Sequence, residues 1–180
     1  ILQDVLFNLP YDAKTVKGAL KHISTQMFSS GVSYHNFFID QPGNKEIQAS
    51  DDPVWYPNAV TKYCKETGDF DFLDEVTDYA EVREGEPDVT GTIMEHYLKA
   101  SYRVWTDRSA RNLPFMKDCE WNDDLNDLRI DNSKPNGNME SVMVAQQLYQ
   151  GLLYMVELFE ASGKNKDLIE EYTKRAATIK

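Results

Sequence analysis

The chain has 180 residues and a formal net charge of -11, with 30 acidic against 19 basic side chains. That balance disfavours nucleic acid or an anionic membrane as a partner, since both would repel it. No apolar run approaches the ~20 residues that a bilayer span needs, and the length suits one domain with a real core.

Ile1 to Leu9 lacks the basic start of a signal peptide and already contains Asp4. Cys64 and Cys119 stand apart, without CxxC spacing, which fits reduced thiols in a cytoplasmic protein better than a structural zinc site. The chain opens without Met and in mid-pattern, so it is expected to be a segment of something longer.

Asp12 is a good cap for a helix whose apolar positions Val16, Leu20, Ile23 and Met27 repeat at helical spacing, with Gly31 as its expected end. Ser33 to Ile39 is aromatic and β-prone, and Asp40, Pro42, Gly43 and Asn44 then make a turn. Ser50 or Asp51 caps a second helix, with Pro53 in its first turn and a stop near Gly68. Asp69 to Ala80 is expected to form a short helix on Phe72, Leu73, Val76 and Tyr79, followed by a polar loop from Glu81 to Gly91. Thr92 opens a long helix through Ile93, Tyr97, Ala100 and Val104.

Arg111 to Gly137 is long and irregular, but Phe115, Met116 and Trp121 argue that it is ordered, and such loops are commonly functional. Met139 to Phe159 is a strongly periodic helix closed by Gly163, and Lys166 to Ile179 is a last amphipathic one. Six helices with few strands, no heptads and no internal repeat describe an all-α fold of paired helices.

Within the irregular segment, Trp121 and Asp123 stand close together in a polar run. An indole face can carry a sugar ring, and a carboxyl beside it can protonate a glycosidic oxygen when its surroundings raise its pKa. The plainer reading is an acidic surface loop over one tucked Trp. At the second helix start, an Asp is most often a cap, yet the adjacent pair Asp51 and Asp52 exceeds what capping requires. Asp123, Asp124, Asp127 and Asp131 lack the spacing of a calcium loop, and His22, His35 and His96 show no metal spacing, so no metal is expected.

Taken in order, Gln3-Asp4, Ser50-Asp51-Asp52-Pro53 with Trp55, Gly91-Thr92 with Glu95-His96, Leu113-Pro114 ahead of Trp121-Asn122-Asp123, and the run from Met139 to Leu148 resemble glycoside hydrolase family 94. This family holds the cellobiose, chitobiose and 1,2-β-oligoglucan phosphorylases. The likeness runs over essentially the whole chain. It departs from the family's usual pattern at Glu120, where an Asp is common, and at Asp124, where a Gly is common.

The resemblance implies part of an (α/α)6-barrel catalytic domain, with residues 1 to 180 as one segment of it. Asp123 matches the family's general acid, and Trp121 and Asn122 accompany it in the same motif. Asp4, Asp51 and Asp52 are implied to gather around the same sugar as binders of its hydroxyls. Glu140 either orients the loop or caps the helix that follows. The implied reaction is inverting phosphorolysis of a β-linked gluco-oligosaccharide or disaccharide, with inorganic phosphate as co-substrate, no cofactor, and a homodimer as one assembly. An inverting hydrolase on the same barrel and a non-catalytic carbohydrate-binding domain are the alternatives.

Overall fold

A computed structural model describes residues 2–36, 43, 49–121 and 139–179. Seven α-helices are present among them: α1 (Leu2–Phe7), α2 (Ala13–Ser24), α3 (Asp52–Thr67), α4 (Ala80–Arg83), α5 (Ile93–Thr106), α6 (Val142–Ser162) and α7 (Ile169–Ile179). Two three-residue strands, β1 (Val76–Asp78) and β2 (Thr90–Thr92), pair antiparallel with Thr77 opposite Gly91. The fold is all-α, as the periodicity predicts. None of the described helices is long and apolar enough to cross a membrane.

The longer helices form where capping and periodicity agree. Asp12 accepts the Thr15 amide at 3.0 Å to start α2. Thr92 and Glu95 close a reciprocal box at the start of α5, each side chain taking the other residue's backbone N–H. Ser141 accepts the Val144 amide at 3.1 Å to start α6. Gly163 ends that helix in the left-handed conformation that a side chain would resist.

Two expected elements differ. α2 stops at Ser24, well short of Gly31, because the hydroxyls of Ser24 and Thr25 turn back onto the carbonyls of Lys21 and His22. Met27 is buried all the same, in a bridge to Ser33, and Gly31 serves a tight turn at φ +84 whose missing Cβ would sit 2.3 Å from the Lys99 carbonyl. Asp69 to Ala80 is not a helix: Phe72 and Leu73 are buried by a 3-10 turn over Asp71–Asp74, and Val76 points outward from β1. The polar stretch after it begins with α4 rather than with loop.

α3 and α6 run side by side in the same direction. Asn58 faces Gly151 and Lys65 pairs with Glu157 at 2.5 Å, so both numbers rise together along the contact. α5 runs the opposite way against α3, since Thr61 meets Tyr97 at 2.8 Å while Pro53 lies near Val104 at the other end. α7 folds back on α6 through the turn after Gly163, with Phe159 edge-on to Tyr172 at 5.5 Å. Leu20, Val60, Ile93, Leu152 and Phe159 are fully buried between these layers. Truncating one such large side chain typically costs about 2–5 kcal/mol, a large part of a domain stability that amounts to only about 0.1 kcal/mol per residue, so the layer arrangement is strongly specified. Its consequence for the site is simple: α3 and α6 begin at the same end.

Candidate active site

At that end lies a cavity of about 420 Å³. The first residues of α1, the connection after α2, the start of α3 and the segment Glu120–Trp121 all line it. The last of these is brought in by backbone pairing. Ser50 N–H donates to the Cys119 carbonyl at 2.9 Å, and Ala49 bridges both Lys117 and Cys119. Two stretches far apart in sequence, Ser50-Asp51-Asp52 and Cys119-Glu120-Trp121, thereby share one wall.

Asp51 occupies the cap position of α3 but makes no side-chain cap bond. Its carboxylate instead accepts the Trp55 indole N–H at 3.0 Å, an i to i+4 contact that holds it against the cavity. Burial pushes its pKa up, opposed by the Trp55 bond, with the Glu120 carboxylate adding to the rise. Asp52 is half-buried and lies 3.1 Å from His35 Nδ1. Burial first, and then the neighbouring Asp51 charge, push its carboxyl up to about 7, against the opposing pull of His35. Glu120 is buried and accepts the hydroxyl of Ser141, the residue that caps α6. Three carboxyl groups thus face one concavity, and no Lys or Arg is among its described lining residues. Such a wall suits a neutral ligand rich in hydroxyls and opposes an anion.

Trp121 lines the rim and is 68% exposed, which leaves much of the indole open to solvent or ligand. Asp4 lies on α1 one residue beyond Gln3; Gln3 lines the cavity, whereas Asp4 is exposed and outside the lining. Asn122 and Asp123 fall outside the described residues, as does the rest of the irregular segment to Asn138. Glu140 does not cap α6: it pairs with Arg111, across the bridge that joins Phe115 to Glu140, while Ser141 caps the helix. Its carboxyl is held below the usual range by hydrogen bonds from Ser109 and Arg111.

Two cavity residues escape a reading from sequence. His35 sits in an aromatic run that signals only strand propensity, and its partner Asp52 is distant in the chain. Glu120 reads as one more acid in an acidic loop, and nothing local announces its burial against the α6 cap.

Comparison with known proteins bears on this arrangement. Residues 2–180 match the family described as the glycosyl hydrolase 94 superfamily, catalytic domain. The solabiose phosphorylase of Paenibacillus borealis is 35% identical over 131 residues, covering 73% of this chain and 16% of that protein. The N,N'-diacetylchitobiose phosphorylase of Vibrio proteolyticus is 30% identical over 136 residues, covering 73% of this chain and 14% of that protein. The cyclic beta-(1,2)-glucan synthase NdvB of Rhizobium meliloti (strain 1021) is 28% identical over 137 residues, covering 69% and 5% respectively. The chain therefore spans 16% or less of the length of these relatives. With the family matched across nearly every residue, the chain belongs to the glycosyl hydrolase 94 superfamily.

Proposed function

We propose that this chain is the acid-bearing segment of an inverting glycoside phosphorylase that cleaves a β-glucosidic bond with inorganic phosphate. The observation that carries the reading is the pinning of Cys119 to Ser50. It sets Trp121 on the rim of a carboxylate-walled cavity immediately before Asn122 and Asp123. Asp123, protonated, donates its proton to the bridging oxygen as the bond to the anomeric carbon breaks. The bonding pair leaves with the acceptor sugar. A phosphate oxygen attacks the opposite face of the same carbon, and α-D-glucose 1-phosphate results. Phosphate is its own nucleophile, so a carboxylate base is not needed.

Trp121 borders the sugar ring, and Asn122, Asp51, Asp52 and Asp4 serve its hydroxyls in this reading. The phosphate site belongs to parts of the enzyme beyond this wall, whose lining carboxyls repel an anion. The parallel pair α3 and α6, backed by α5 and α7, is the arrangement expected of one arc of an (α/α)6 barrel.

The three cavity carboxyls also favour a second reading, an inverting hydrolase in which one of them activates water as the base. Such a base stands roughly 6.5–9.5 Å from the acid. Turnover of β-1,2-, β-1,3- and β-1,4-linked diglucosides by the full-length protein separates the two. Phosphate-dependent release of α-D-glucose 1-phosphate supports phosphorolysis, whereas free glucose as the sole product without phosphate overturns it.

A further inference from the structure

We infer that His35 is a positioning residue of the sugar cavity, clipping Asp52 to the segment that carries Trp121 and so fixing the carboxylate that meets the sugar. The inference rests on the reading of this cavity as a sugar site. Its support is a bridge made by both ring nitrogens. Nδ1 lies 3.1 Å from Asp52 Oδ2 at the start of α3, and Nε2 lies 4.0 Å from Cys119 Sγ on the segment that leads into Trp121. The Cys119 carbonyl in turn holds Ser50, two residues before Asp52, which closes a ring of contacts beside the cavity. His35 itself is half-buried, and it, Asp52 and Trp121 all line the same space.

The chemistry follows from what faces Asp52. Asp51, on the same helix, repels its charge; Glu120, from the 119–121 segment, acts on Asp51. α1 contributes Leu2 and the neutral Gln3 to the lining, and the connection after α2 contributes His35. Among the lining residues, His35 is the side chain that can offer positive charge to this group of carboxyls. An ionised carboxylate accepts sugar hydroxyls through charge-assisted bonds roughly twice as strong as neutral ones. By favouring the ionised form and by holding one oxygen, His35 leaves the other oxygen aimed at the ligand.

The test is the pH dependence of KM and kcat for a β-linked diglucoside at saturating phosphate, in the full-length enzyme. In the wild type, KM for the sugar should rise as pH falls through the titration of Asp52. In His35→Ala the same rise should begin about one pH unit higher, because an opposite charge typically lowers a carboxyl by 1–3 units. In the acid window this is up to about a tenfold weaker KM, with little difference at alkaline pH. His35→Asn, which keeps an N–H without the charge, should fall between the two and guards against misfolding of the Ala variant. Asp52→Asn should remove this pH dependence of KM altogether.

A uniform change in KM at every pH in both His35 variants would overturn the inference and leave His35 a packing residue. So would a pH curve unmoved by either variant while wild-type phosphorolysis is present. A wild type with no phosphate-dependent turnover of any diglucoside would overturn the sugar-site reading, and the inference with it.

Discussion

At the start of α5, Thr92 and Glu95 return their side chains to the helix's own free amides. At the start of α3, Asp51 stands in the equivalent position and gives its carboxylate to the Trp55 indole instead. The first arrangement is what local stability asks for, and an N-cap of that kind is worth about 1 kcal/mol. The second forgoes that gain and buries an acid beside a second one, at a cost in desolvation that shows in the raised pKa of both. The difference separates side chains that serve the fold from side chains that serve a cavity. A residue of good capping type that declines to cap, at the mouth of a concavity, is better explained by a ligand than by the helix.

That contrast predicts which substitutions strike activity and which strike stability. The largest effect belongs to Asp123→Asn in the full-length enzyme. Phosphorolysis of a β-glucoside with an ordinary alkoxide leaving group should fall by about 10²–10⁴-fold, since the amide has no suitable proton to give. Assayed in the same direction with an aryl β-glucoside whose phenolate leaves without protonation, the loss should be much smaller. Asp124→Asn should cost far less in both assays. Equal damage from the two variants would place the acid one residue away.

Next comes Asp52→Asn, read as stability against pH. The folded pKa of about 7 lies above the ordinary carboxyl value, so the folded state holds this proton more tightly. The resulting stabilisation is complete below about pH 4 and is lost as pH rises through about 7. Denaturant midpoints of the wild type should therefore carry a downward contribution across that window, up to about 1.4 kcal/mol per pH unit. The Asn variant should lack this group's share and keep that of Asp51, whose raised carboxyl acts in the same sense. Asp69 and Glu75, whose carboxyls Lys17 holds low, act in the opposite sense and below about pH 4, outside the window.

Thr92→Ala should destabilise by about 1 kcal/mol in a thermal or urea melt while leaving the KM for sugar unchanged. A rise in that KM would mean that the α5 cap and the cavity are coupled after all. Smallest is Glu157→Gln, which removes the pair between α6 and Lys65 of α3. Both partners are 49% exposed, so the loss should stay under about 0.5 kcal/mol.

The helices were legible where two independent signals coincided. For α3, α5 and α6 a capping residue precedes a long apolar period, and their bounds fall close to the expected ones. Asp69 to Ala80 misleads because Phe72, Leu73, Val76 and Tyr79 fall on helical spacing by coincidence. Three of them are buried, and Val76 faces solvent. Four apolar positions are too few for periodicity to exclude a turn followed by a strand. The end of α2 was hidden because Met27 continues the apolar period beyond the point where the hydroxyls of Ser24 and Thr25 break the helix.

At the cavity, the motif order brought Asp51, Asp52 and Trp121 to notice, and all three line it. Asp4 was noticed by the same route and lies on α1 just outside the lining. His35 and Glu120 depend on contacts across long stretches of chain, to Asp52 and Ser141, which no local pattern encodes.

The parallel contact of α3 with α6 carries one more implication. A Cβ at Gly151 would lie 3.1 Å from Asn58 Oδ1, so the helices approach here as closely as a missing methyl permits. This point is about 10 Å along α3 from Asp51, at the helical rise of ~1.5 Å per residue. The spacing of the two helices is therefore set at this contact, about two turns from the end at which the cavity lies. A residue outside the cavity lining thus gauges how closely α3 and α6 approach. A methyl placed at Gly151 would press on the Asn58 amide, and the side chain or the helix spacing would have to give by a few tenths of an ångström to admit it.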